Sequence, residues 1–173
     1  MTAAATPMPF VQAVARAYAL RGMDASSALA RAQIAPEAVH DTAARVTAAQ
    51  FEALCDAAMR ALDDEALGWF PRRLRWGSYG MLARASISAP RLGLALARWC
   101  RHHGLLTDGV DLQLATLGGT ARIAITEHAV QAGLREFCLV SLLRNVHGLA
   151  CWLIDSRLPL LGAQFPFAAP AHA

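Results

Sequence analysis

The 173-residue sequence contains no lysine: its 16 cations are all arginines, set against 13 acids for a formal charge of +3. Nucleic-acid-binding domains concentrate cations into runs or stripes that neutralise phosphates. The only dense run here is Arg72, Arg73 and Arg75, so these residues are not expected to hold DNA directly. Charged residues are scarce, at 17%, and mean hydropathy is +0.32. Even so, no uncharged stretch reaches the roughly 18 residues of a membrane span. The longest, Leu158 to Ala173, carries three prolines. The first 15 residues are also uncharged, but nothing basic precedes their apolar part, as a secretory leader requires. A cytoplasmic protein with no membrane partner is expected.

Chemical motifs are equally sparse. The four cysteines, Cys55, Cys100, Cys138 and Cys151, form no CxxC pair and have no histidine at zinc-finger spacing, so they read as reduced, buried thiols. There is no Gly-x-Ser-x-Gly elbow, no His-Glu-x-x-His and no phosphate loop. No enzyme, metal or cofactor is expected. His102 and His103 are neighbours that point about 100° apart on a helix, which suits a solvated helix C-terminus better than one shared ion.

What is present is apolar and helix-forming. Residues of the apolar set make up 55%, with 38 alanines and 24 leucines, enough to build one core in a chain of this length. Residues 1–7 read as a frayed terminus. Phe10, Val11, Val14, Tyr18 and Leu20 recur at helical spacing until Gly22, giving a helix over about 9–21. A short helix follows Asp24 and breaks before Pro36. Thr47 and Gln50 make a capping box, opening a third helix with Phe51, Leu54, Cys55, Ala58 and Leu62 on one stripe and Asp63-Asp64-Glu65 at its end. Leu67 to Arg75 reads as a loop and as the internal boundary between a helical subregion 1–66 and an α/β subregion 77–167.

Beyond that loop, a short helix begins at Gly77, and Ser88 is the expected N-cap of another that runs to about His103. The period then changes to alternation. A β-hairpin over about 105–126 turns at Gly118-Gly119, with Leu112, Leu114, Ile123 and Ile125 inward and Arg122 outward. Leu134 to about Asp155 is helical and apolar on most faces, hence central. Residues of about 160–167 read as a further strand placed to pair with the hairpin, with Pro166 at an edge. The expected fold is α+β: a mainly helical single domain with a small antiparallel sheet.

Two groups stand out as candidate ligand contacts. Arg144, Asn145 and His147 interrupt the central helix, where an unpartnered polar group costs a few kcal/mol; their partners are either carboxylates such as Glu136 or a bound effector. Arg72, Arg75, Trp76 and Tyr79 can grip an anionic or aromatic molecule by charge-assisted bonds and stacking, or can simply form a solvated loop. Trp99 and Trp152 fall at core positions.

Several short segments, in this order, resemble the N-terminal effector domain of AraC-type transcription regulators, in the subgroup described as arabinose-binding-like. They are the early helix ending at Gly22, Leu29-Ala30-Arg31-Ala32, Arg45-Val46 ahead of Phe51, Gly77-Ser-Tyr-Gly-Met-Leu82 and Ser88-Ala-Pro-Arg-Leu92 leading to Ala95. Arg135-Glu136-Phe137, Trp152-Leu-Ile154, Leu158-Pro159-Leu160, Phe165 and Ala169-Pro170-Ala171-His172 continue the series. The resemblance implies a domain spanning 1–173 that senses a small-molecule effector and forms a homodimer. It also implies a C-terminal helix-turn-helix domain, absent from this chain, that binds the DNA. On this reading the chain is a fragment ending within or near the end of the sensing domain. The candidate ligand-binding residues are Arg72, Arg75, Trp76, Tyr79, Arg144 and His147. A ligand-independent dimerisation module is the alternative, and a small-molecule enzyme a more distant one.

Overall fold

The computed structural model describes residues 5–172. Its elements run β1 (Ala5–Pro7), α1 (Met8–Ala19), α2 (Ser26–Arg31), β2 (Arg45–Thr47), α3 (Ala48–Leu62), α4 (Ser78–Ile87), α5 (Leu92–His103), β3 (Val110–Leu117), β4 (Thr120–Glu127) and α6 (Arg135–Leu153), with short 3₁₀ turns at Pro36–His40 and Ala132–Leu134. The α+β class is as the sequence indicates.

Local chemistry explains most boundaries. Gly22, at φ 66°, follows α1 and takes the left-handed conformation that ends the pattern. Thr47 Oγ1 accepts from the Gln50 N–H at 3.2 Å while the Thr47 N–H donates to Gln50 Oε1 at 3.0 Å, so the capping box at α3 is complete. Gly118 and Gly119 both have positive φ, at 59° and 80°, as a two-residue hairpin turn requires. Around them Leu112 faces Ile125 and Leu114 faces Ile123.

Four expectations are corrected. The hairpin starts at Val110, not near 105, because Thr107 Oγ1 accepts from the Gly109 N–H at 3.0 Å and holds a turn there. Ser88 is the C-cap of α4 and not an N-cap; Pro90 disfavours helix at the residue before it, and α5 starts only at Leu92. Residues 160–167 form no strand. The hairpin is a two-stranded sheet by itself, and the segment after Asp155 carries Pro159, Pro166 and Pro170, which lack the N–H groups a ladder needs. Residues 5–7, expected to fray, pair antiparallel with β2; residues 1–4 lie outside the described part.

Two apolar clusters organise the interior. The first joins α1, α2, α3 and the first half of α6 through residues such as Val14, Leu29, Leu54, Phe137 and Leu142. The second joins α4, α5, β3 and the second half of α6 through Leu82, Leu96, Trp99, Leu112 and Val146. The helix expected to be central therefore serves both. Tyr79, Leu106 and Ile125 pack against the two clusters at once and mark their junction. The segment expected to be a boundary lies inside the first: Ala66, Leu67, Trp69, Phe70 and Leu74 are all buried. Trp152, expected in the core, is instead 63% exposed, because α6 presents it away from both clusters.

Candidate functional site

The acidic run at the end of α3 builds the approach to the site. Asp64 is 1% exposed, yet its carboxylate accepts the N–H groups of Ala66, Gly68 and Leu74 at 3.0–3.1 Å and the Arg21 guanidinium at 3.2 Å. A buried carboxylate is tolerable when its lone pairs are filled in this way. Glu65 accepts from the Gly77 N–H at 2.8 Å and the Tyr79 N–H at 2.7 Å, placing negative charge at the N-terminus of α4. Asp63 accepts from the Trp76 N–H and from Arg75, both at 3.0 Å. Three consecutive acids thus fold the segment 66–79 back on itself and deliver Tyr79 to the junction of the two clusters.

Tyr79 stacks on Trp99 with ring centroids 5.7 Å apart and planes 12° from parallel, and its hydroxyl lies 3.5 Å from His103 Nε2. Phe70 meets the His103 ring edge-on at 6.5 Å. Removal from water raises the tyrosine pKa, helped by the charge of nearby Cys138, Glu65 and Asp64. The same burial lowers the His103 pKa to about 4, so the imidazole is neutral at pH 7. The bland reading of His103 as a solvated helix end is therefore corrected: it is fully buried. Trp99 Nε1 and His103 Nδ1 are both buried without a hydrogen-bond partner. Burial likewise raises the thiols of Cys55 (to about 12, partly offset by the charge of Arg144), Cys100 and Cys138, as unreactive core cysteines require.

Of the six candidate contacts, only Tyr79 stands in this cluster. Arg72 is exposed, Arg75 pairs with Asp63, and Trp76 lies under the Arg60 guanidinium at 4.2 Å. Arg144 is exposed on α6, and His147 Nε2 donates to the Leu158 carbonyl oxygen, 3.0 Å away, and lies 3.7 Å from Cys151 Sγ. Among the described residues, no hydrogen bond or ion pair joins the loop group to Arg144 or His147. Glu136, considered above as a partner for Arg144, pairs with His172 at 2.8 Å. The cluster positions that the sequence reading did not single out as contacts are Trp99 and His103. They stand four residues apart on α5, on one face, which was the signal available for them.

Two open grooves complete the surface. One, of about 700 Å³, lies between α1 and the start of α6, lined among others by Phe10, Arg16, Gly133, Arg135 and Phe137. The other, of about 210 Å³, lies between the α4–α5 elbow and the end of α6. None of the six candidates lines either.

The family model for the N-terminal arabinose-binding domain of AraC transcription regulators matches residues 22–173. The chain belongs to this family. No curated protein and no solved structure matches it. The AraC-type domain is regulatory and ligand-binding in kind, which agrees with a buried aromatic cluster whose carboxylates are already saturated by backbone N–H groups. No helix among the described residues is long and apolar enough to cross a membrane.

Proposed function

We propose that this chain is the cytoplasmic ligand-sensing half of an AraC-type regulator. It binds a small-molecule effector at the junction of its two apolar clusters, around Tyr79, and forms a homodimer. Through that assembly it sets the DNA affinity of a C-terminal helix-turn-helix domain. The observation that carries this reading is the family match over residues 22–173. The junction adds support: Tyr79 touches both clusters, so a ligand placed there favours one arrangement of the two only by binding it better than the other. Of the remaining sequence candidates, Arg144 and His147 lie on α6, the helix that serves both clusters, while Arg72, Arg75 and Trp76 belong to the outer turn of the loop that leads to Tyr79.

A thermal-shift screen across sugars, amino acids, fatty acids and cyclic nucleotides tests the proposal. An effector at 100 times its Kd adds about 2.7 kcal/mol of stability. No stabilising compound in any class would count against sensing, and a monomer by light scattering at high concentration would count against the homodimer.

A further inference from the structure

The groove of about 700 Å³ between α1 and the start of α6 has the size of sites that hold small organic molecules. Its charged lining is Arg16, Arg135 and Glu136. Arg135 is neutralised by Glu127, to which it donates twice at 2.7 Å, and Glu136 is paired with His172 at 2.8 Å. Neither has charge to spare. The Arg16 side chain, by contrast, has no hydrogen-bond or ion-pair partner among the described residues, so one positive charge of the groove is left uncompensated.

An exposed arginine ordinarily keeps its rotamer freedom. This one is seated. A Cβ built on Gly133 would collide with Arg16 Cζ and fall 2.6 Å from Nη2 and 2.7 Å from Nε, so the guanidinium rests against the glycine in room that a side chain would fill. The φ of Gly133 is not positive, so the turn itself does not call for a glycine. Held in this way, the guanidinium presents a fork of donors that fits the two oxygens of a carboxylate.

The rest of the lining sets the body of the ligand. Phe10 and Phe137 stand with ring centroids 5.6 Å apart at one end of the groove, and Ala13 lies between Phe10 and Arg16 on α1. From Phe10 to Arg16 the helix rises about 9 Å. That length suits a molecule with a carboxylate at one end and a single ring or short chain at the other. An ammonium head would meet the uncompensated charge of Arg16, and a neutral head would leave it unmatched.

We propose that the groove between α1 and α6 binds an organic monocarboxylate, its two oxygens on the Arg16 guanidinium and its apolar body lying along α1 toward Phe10. This site goes beyond the sensing junction around Tyr79 and does not depend on it.

The test uses the full chain labelled with ¹⁵N and hydrocinnamate as the probe, which is expected to move the backbone amide resonances of Ala13, Arg16, Gly133 and Phe137. Arg16→Gln removes the charge, and Gly133→Ala keeps the charge but displaces the guanidinium from its seat. Each is expected to weaken binding at least about tenfold, as loss of a charge-assisted bond implies. Hydrocinnamamide, phenylpropylamine and propionate lack, in turn, the anion, its sign and the ring, and each is expected to bind at least about tenfold more weakly than hydrocinnamate. Both substituted positions are exposed, and the wild-type resonances answer the question even if a variant fails to fold. Hydrocinnamate leaving these resonances unmoved at millimolar concentration, a control binding as well as hydrocinnamate, or a folded variant binding as tightly as wild type overturns the site. Metabolites that stabilise the chain while hydrocinnamate leaves the groove unmoved would sink the groove and leave sensing standing; a groove response with no stabilising metabolite would do the reverse.

Discussion

The carboxylate of Asp64 accepts a hydrogen bond of 3.0 Å from the backbone N–H of Leu74, ten residues further along the chain. That contact turns an apolar segment, which includes Trp69 and Phe70, into the floor of the first cluster, and it places the next turn at the start of α4. Asp64→Ala leaves the N–H groups of Ala66, Gly68 and Leu74 and the Arg21 guanidinium without their acceptor. Breaking a buried charged pair typically costs about 3–5 kcal/mol. Urea denaturation is expected to show a loss of that order, with Asp64→Asn retaining part of the stability. A change below about 1 kcal/mol in the alanine variant would show that the segment is held by its apolar side chains alone.

His103 makes stability depend on pH. Its folded-state pKa, about 4, lies below the ordinary 6.5, so as pH falls the unfolded chain takes up a proton before the folded one does. The contribution is complete above about pH 6.5 and drains away as pH falls toward 4, amounting to about 3 kcal/mol at most. Glu127, whose pKa is lowered chiefly by its hydrogen bonds from Arg135, adds a loss at lower pH in any variant that keeps this pair. The comparison of wild type with His103→Phe therefore isolates the imidazole. Between pH 7 and 4.5 the variant is expected to lose less stability than the wild type, and parallel profiles would rule out a buried neutral histidine.

Gly109 is packed against Phe70. A Cβ at this position would come 2.3 Å from Phe70 Cδ1 and 3.1 Å from the Ala129 carbonyl oxygen. Overpacking of this kind costs about 1–3 kcal/mol, so Gly109→Ala is expected to lower the thermal midpoint. Because the closest atom is a side chain, Phe70→Leu should absorb part of the clash, and a double-mutant cycle should show coupling above about 0.5 kcal/mol. Strict additivity of the two changes would place the strain elsewhere.

The segment after α6 is expected to behave as a strap. It runs back along that helix, held at one end by the Leu158 N–H on Cys151 Sγ and at the other by His172, which pairs with Glu136 and whose carbonyl accepts from Arg45 at 2.8 Å. Between them Arg135, bonded twice to Glu127 at 2.7 Å, lies over the Phe167 ring. Replacing Glu136 by Gln, and separately His147 by Ala, should accelerate amide exchange in residues 158–171 while leaving α3 protected. Unchanged exchange along the strap in both variants would mean that these contacts do not hold it.

The sequence by itself determined the elements whose signals are local. The capping box at Thr47, the stop at Gly22, the paired glycines of the hairpin and the period of α6 each act within a few residues, so they could be read without knowing what lies opposite. The same pattern showed that the chain is α+β and largely helical, and the order of its short segments pointed to its family.

The tertiary structure decided what depends on partners far along the chain. Asp63, Asp64 and Glu65 look like a solvated helix end until the N–H groups of residues 66–79 come round to meet them. Residues 160–167 have the composition of a strand, but Pro166 within them and Pro159 just before them lack the N–H groups a ladder needs, and the segment runs as a strap. Arg72, Arg75 and Trp76 carry the residue types of a binding site and are occupied by Asp63 and Arg60 or face solvent. Of that group only Tyr79 reaches the interior, because Glu65 fixes the first turn of α4 from fourteen residues away. Whether a polar side chain is a contact or a surface group is set by long-range burial, which local spacing does not encode.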